Sequence, residues 1–501
     1  MKKILAILLC LAMLLCITPI VATAEGATEI TNENGLSAIT GSGDFILTED
    51  IYVDLTTATF PLIADGFTGT LDGGNHSIIF KDKVTGELKN TTSVTNIEGM
   101  IFKACKAKEI KNLTVGSADA MPTFTSSSAN VGVMAKVVND GVATVFRNVT
   151  VYGDITTKTN SNVNIGLFFG KTGHQVKFYD CKAIGSIKQG VAVTSSTATL
   201  RYGGFCGLFD PSSQKSMTLT IEGCVSEVSI SSTKDYYIPA LRTYAGGFLG
   251  AINEASSSIG DEMFIKNSLS YHISDLRNRN DVRLDKDNDS RYNVGPFYGG
   301  TMSPDNVTSG ETTITTVNCA TPDTLAEGLA FTTDNEASVR FNSPTGIRFY
   351  NSVSGLYGTL VRALGAENVK MGTIIAPKQL VENAGAFTKD ALDALNSTTA
   401  TYLDVEYRNE WYDSDEANNS YTYVGGVANI LEENYTLEYC GIGYISYNDG
   451  TGWKTIYASY DEGTGIPAFS VRALAEAVTA DPNATAAEKA AVAKYLAGDE
   501  Q

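Results

Sequence analysis

The side chains able to do chemistry in this chain are few and scattered. His76, His174 and His272 are its only histidines, and their wide spacing gives no hint of a Ser-His-Asp grouping. Asp285, Asp287 and Asp289 in LDKDNDS alternate as the carboxylates of calcium loops do. Ser290, however, stands where an EF-hand needs Gly, and Pro296 where its bidentate Glu belongs, so only a looser calcium clip remains open there. Cys105, Cys181, Cys206, Cys224, Cys319 and Cys440 include no C-x-x-C pair, which leaves a zinc site poorly supported.

Two other sets suit ligand binding. The segments Ser231–Thr243 and Ser274–Tyr292 bring Tyr236, Tyr237, Arg242, Arg277, Arg279 and Arg283. Arg presents a planar fork that fits carboxylates, such as those of acidic polysaccharides. A solvated loop pair without a ligand is the plainer reading. Trp411 and Trp453 are the only tryptophans, and eleven of the 24 tyrosines lie between Tyr402 and Tyr460. Aromatic faces stack on sugar rings while Tyr and Trp edges reach hydroxyls. Half-buried strand packing would favour the same residues.

The elements that must position these groups follow from a repeat. GLFFG at Gly166, GGFCG at Gly203, GGFLG at Gly246 and GPFYG at Gly295 share a G-x-x-x-G frame, with weaker copies at Gly99 and Gly132. After each copy comes a short phrase: IKNLTV, FRNVTV, FYDCKA, IEGCVS, IKNSLS and TVNCAT. Stacked, their third column is Asn112, Asn148, Asp180, Gly223, Asn267 and Asn318, the residue types that tolerate a left-handed backbone. The flanking columns are apolar (Ile110, Phe146, Phe178, Ile221, Ile265) or small (Leu113, Val149, Cys181, Cys224, Ser268, Cys319). The column between carries Lys111, Arg147, Tyr179, Glu222 and Lys266 and is expected to face outward. Inward, outward, bend, inward describes a strand that rounds a corner once per layer, with layers about 4.8 Å apart. Cys181 and Cys224 would then stack as small core residues, an arrangement that suits disulfide geometry badly. No layer of the outward column collects the clustered carboxylates that a hydrolase needs.

These phrases resemble GLUG-type repeats of secreted bacterial proteins, in the right-handed parallel β-helix (pectin-lyase-like) group. The stretch GTLDGGNHSII, from Gly69, is similar to an early-coil phrase of that group, with Asn75 where the group usually has Gly. The resemblance implies a mainly β fold: a β-helix solenoid over 66–325, with bends at Gly69, Gly73, Gly74 and Asn75 in its first coil. Residues 25–65 (NENGLSAI, DFILTEDIYVD) would form the cap and first coil, protecting an open strand edge. Lyases on such scaffolds use a basic residue beside carboxylates or calcium.

Residues 326–501 read as a smaller α+β domain. FTKDALDAL is expected to be a helix capped by Thr388, and Asn448-Asp449-Gly450 joins two strands as a hairpin. Two closing helices are expected from Ser470 and Thr485, the latter with Glu488 completing a capping box. GIRF, MGTIIAP and NYTLEYCGIGYISY resemble a C-terminal module of large secreted clostridial proteins, which adds no mechanism.

Residues 1–24 have the anatomy of a signal peptide: Lys2 and Lys3, an apolar run, then Ala22-Thr23-Ala24. The expected product is secreted, extracellular or at the cell surface, with no membrane association after cleavage. No LPxTG signal or hydrophobic C-terminal tail points to wall attachment. The net charge of −19 argues against nucleic acid and anionic lipid as partners. The reading is a non-catalytic protein of adhesion or glycan binding, with extracellular polysaccharide or cell-wall glycan as partner and no cofactor apart from the open calcium question. A polysaccharide lyase or glycoside hydrolase acting on an acidic polysaccharide is the alternative, and a structural spacer without ligand the third.

Overall fold

All six residues of the bend column adopt the left-handed conformation: φ is +50° at Asn112, +52° at Asn148, +56° at Asp180, +65° at Gly223, +48° at Asn267 and +51° at Asn318. The computed structural model describes residues 26–55, 57–82, 84–87, 97–138, 143–193, 197–211, 216–232, 242–253, 261–277, 283, 291–302, 312–395, 401–407, 410–415, 419–460 and 465–496. The chain divides into two units. One comprises Met1–Thr220, Ser226–Met263 and Tyr271–Ile314; the other comprises Ile221–Val225, Phe264–Ser270 and Thr315–Gln501.

The first unit is built of long parallel sheets. Ile110 aligns with Phe146 and Phe146 with Phe178, so the inward column of the sequence is a column in space. These three side chains are buried, and the rings of Phe146 and Phe178 stack with centroids 5.1 Å apart. Where the backbone turns, Asn148 Nδ2 donates to Asn112 Oδ1 and Asn112 Nδ2 donates to Asp72 Oδ1, each at 3.1 Å. Bend residues thus pass side-chain amide hydrogen bonds from one strand to the next.

The G-x-x-x-G phrases explain two further sheets, of five and six parallel strands. Gly166, Gly203, Gly246 and Gly295 align in one, while Phe169, Cys206, Leu249 and Tyr298 align in the other. Neither glycine has room for a side chain. A Cβ on Gly250 would lie 2.7 Å from Tyr202 N, and one on Gly299 would lie 2.6 Å from Ala245 N. The last glycine of each phrase lies so close to the first strand of the preceding phrase that only Gly fits there. Between the two strands of a phrase its central Phe enters the core, and Phe168 stacks on Phe205 at 4.7 Å, the spacing of adjacent strands.

The glycines of the 66–80 stretch serve two purposes rather than one. Gly74 and Asn75 bend the chain, with φ +58° and +66°. Gly69 and Gly73, expected as bends, are not left-handed; a Cβ on either would strike the backbone of Gly43 or Asn112. Close approach explains them. Within the expected cap a short helix forms at Glu33–Ser37, with Asn32 capping Gly35 N at 3.0 Å, and it follows a strand, Thr28–Ile30, that the sequence reading lacked. Among the described residues, Cys105, Cys181, Cys206, Cys224, Cys319 and Cys440 form no disulfide, and the thiols of Cys181, Cys224 and Cys319 each donate at 3.3 Å to the carbonyl two residues earlier.

The second unit holds two four-stranded antiparallel sheets. One runs in the order Thr332–Val339, Gly346–Ser354, Ser420–Ala428, Asp413–Asp415; the other runs Leu403–Glu406, Val369–Pro377, Tyr439–Asn448, Trp453–Tyr457. Their inner faces meet through glycines: Gly441 lies against the Phe349 ring, and Gly425 against Thr373. Buried polar groups between them are paired. Asn351 accepts from Thr333 Oγ1 at 2.7 Å and donates to Thr373 Oγ1 at 2.9 Å. Apolar packing of Ile347, Phe349, Ile375 and Val427 continues into Val471, Val492 and Tyr495 of the closing helical segments. Thr388 and Thr485 cap their helices as expected, Ser470 caps the helix that was expected to begin at it, and Thr485 with Glu488 makes the capping box. Helices at Leu356–Leu364 and Lys378–Ala384 were not anticipated.

Candidate functional site: the outer face of the Trp453 sheet

The hairpin closed by Asn448-Asp449-Gly450 fixes a register: Asn448 faces Trp453, Ser446 faces Thr455, and Tyr444 faces Tyr457. Side chains alternate along a strand, so Trp453, Thr455 and Tyr457 share one face with Tyr444 and Ser446. On the neighbouring strand, Lys370 aligns with Ser446 and Gly372 with Tyr444. On the edge strand, Glu406 aligns with Gly372 and Asp404 with Ile374. These residues, with Lys389, line a cleft of about 460 Å³ on the outer face of the sheet.

Gly372 shapes its floor. A Cβ there would lie 2.7 Å from the Tyr444 hydroxyl oxygen and 2.7 Å from Val405 O. Its absence lets Tyr444 lean across the central strand and donate to Asp404 Oδ1 at 2.7 Å. Lys389 Nζ donates to Asp404 Oδ2 at 2.8 Å, so both carboxylate oxygens are held. At the first residue of its helix, the Lys389 backbone N–H donates to the Tyr457 hydroxyl at 3.0 Å. Ser446 and Thr455 hydroxyls pair at 2.8 Å between the aromatic positions.

The electrostatics follow from these contacts. Burial, then the hydrogen bond to Asp404, with the charges of Asp404 and Glu406 adding, pushes the Tyr444 phenol above its ordinary range; it stays a proton donor. The hydrogen bond to Asp404 holds the Lys389 ammonium above the usual lysine range. Lys370 Nζ sits 5.1 Å from the centre of the Trp453 ring, a cation–π contact. Among the described residues, Glu406 has no ion pair within 4.0 Å.

The two tryptophans differ in kind. Trp453 is 50% exposed on the open face, while Trp411 is 36% exposed within an aromatic cluster. The Trp411 ring centre lies 5.0 Å from Tyr407, 5.2 Å from Tyr421 and 6.0 Å from Tyr357. Burial pushes the Tyr407 phenol up to about 12, with the Tyr357 and Glu410 charges adding. Trp411 is packed on three neighbours, and Trp453 is presented to solvent.

The arginine set lies in the first unit. Ser231 aligns with Asp275, so the two long connections leave neighbouring strands. Arg277 turns back on its own strand, its guanidinium 3.0 Å from Asp275, and its backbone bridges to Arg283. Arg242 opens the strand Arg242–Gly246 and is exposed. Tyr236, Tyr237, Arg279 and the acidic run Asp285, Asp287, Asp289 lie outside the described residues, as does the signal segment 1–24. Among the described residues no group of three or more His, Cys, Asp or Glu side chains is placed to hold a metal ion. No helix among them is long and apolar enough to cross a membrane.

Of the cleft, the sequence reading named Trp453 alone. Tyr444, Ser446, Thr455 and Tyr457 could have been added by counting outward from the Asn448-Asp449-Gly450 turn. Lys370, Asp404, Glu406 and Lys389 could not, because their pairing depends on strands distant in sequence. Comparison of the chain with protein-family models, curated proteins and solved structures returned no match.

Proposed function

We propose that this is an extracellular bacterial protein that binds glycans through the Trp453 face and does not turn them over. The observation that carries the reading is the face itself. Trp453 and Tyr457, four residues apart on one strand, stand roughly 13 Å apart. Paired hydroxyls lie between them, and a carboxylate is fixed by Tyr444 and Lys389 alongside. Rings for stacking next to fixed donors and acceptors are what a chain of sugar rings requires. The distance between the two aromatics suits an oligosaccharide better than a single sugar.

In the same proposal, the first unit winds as a right-handed parallel β-helix of the GLUG-repeat kind. The aligned phrases 36 and 32 residues apart, and the left-handed bend at each, support that reading. Such a coil would be a rigid carrier.

The test is a glycan array probed with residues 25–501, with and without calcium, followed by reducing-end assays on every polysaccharide bound. Affinity without release of reducing ends is expected, and it is lost in Trp453→Ala. Turnover would support a lyase or hydrolase instead. An array with no binder would leave the spacer reading.

A further inference from the structure

The cleft carries a charge pattern that neutral sugars do not need. Asp404 is committed to Lys389 and Tyr444, and the Lys370 ammonium rests over the Trp453 ring. Glu406 is the carboxylate left over. It stands in the same cross-strand row as Gly372, Tyr444 and Tyr457, so it borders the floor on which a ligand would lie. The placement of Lys370 is informative in its own right, because it shows the Trp453 ring accepting an ammonium group at 5.1 Å. Over the whole chain the net charge of −19 attracts cations and repels uronates before any contact forms.

We infer that the glycan taken by this face is an amino sugar polymer with free ammonium groups, one of which is held by Glu406 beside the Tyr444 ring while neighbouring rings stack on Trp453 and Tyr457. This rests on the glycan-binding reading of the same cleft. The bond is a charge-assisted N–H to carboxylate hydrogen bond, and acetylation of the amine removes it. The aromatic rings contribute to both, since they bind the sugar body and favour a cation over their faces.

The probes are the trimer of β-1,4-linked glucosamine and its N-acetylated counterpart, which differ in charge at the amine. Titration calorimetry on residues 25–501 at about 0.15 M salt limits long-range attraction. The expected result is tighter binding of the amine trimer, by roughly three- to tenfold for one partly exposed charged hydrogen bond. Glu406→Gln is expected to abolish that difference. Trp453→Ala is expected to lose both trimers. General attraction of a cation to an acidic protein would instead survive Trp453→Ala, and that outcome overturns the inference. Equal affinity for the two trimers, or a difference that persists in Glu406→Gln, also overturns it; if both are still lost in Trp453→Ala, the glycan site itself stands. No binding of either trimer overturns the inference, and the site falls with it only if the wider glycan array is blank as well.

Discussion

Tyr444 can reach Asp404 only because position 372 has no side chain, and that dependence makes the cleft testable atom by atom. Gly372→Ala would set a methyl group against Val405 O, which is backbone and cannot move aside cheaply. Overpacking of this kind costs about 1–3 kcal/mol. We expect Gly372→Ala to lower the urea midpoint by a corresponding amount and to weaken glycan binding. Tyr444→Phe removes only the hydroxyl. Asp404 keeps its bond from Lys389, so the fold should hold its melting temperature while affinity drops by roughly three- to tenfold, the worth of a positioned polar group. Unchanged affinity in Tyr444→Phe would show that Asp404 is positioned without it.

At the scale of elements, two backbone demands account for most of the first unit. A left-handed bend excludes most side chains by steric contact with the following carbonyl, which is why Asn, Asp and Gly could be read as a column. Asn148→Ala keeps the bend at φ +52° without a local hydrogen bond, and should cost about 1 kcal/mol; Asn148→Gly should cost less. The close strand approach at each G-x-x-x-G phrase is the second demand. Gly250→Ala should destabilise by about 1–3 kcal/mol or more, since a Cβ there meets Tyr202 N at 2.7 Å and Arg201 C at 2.9 Å. Gly358→Ala, in a helix with only Arg362 Nη1 nearby at 3.6 Å, should stabilise by up to about 1 kcal/mol. Equilibrium urea unfolding of the four variants checks both demands. The bends were legible because one conformation admits few residue types. Gly69 and Gly73 were misassigned because glycine identity alone does not separate a bend from a close approach. The cleft was half legible: its hairpin residues follow from turn counting, whereas Lys370, Asp404 and Glu406 arrive through pairings that no local pattern announces.

For the whole molecule, the thiols among the described residues set a clear expectation. Burial pushes Cys105 up to about 12, and burial brings Cys440 to about 12 against the nearby Lys378 charge, with the charges of Glu438 and Glu382 adding. A thiol whose folded value is raised gives stability that is complete below the unfolded value near 9.0 and is lost as pH rises toward 12. Melting temperature should therefore fall between about pH 9 and pH 12, and Ellman's reagent should titrate the five buried thiols, Cys105, Cys181, Cys206, Cys224 and Cys440, only after unfolding. Rapid labelling of the native protein would contradict the packing described. The functional account depends on the contrast between the two tryptophans. The most direct measurement is affinity for an array-selected oligosaccharide in Trp453→Ala and Trp411→Ala, alongside their melting temperatures. The account predicts that Trp453→Ala loses binding with its stability intact, whereas Trp411→Ala binds normally and melts lower. Retained binding in Trp453→Ala would contradict it.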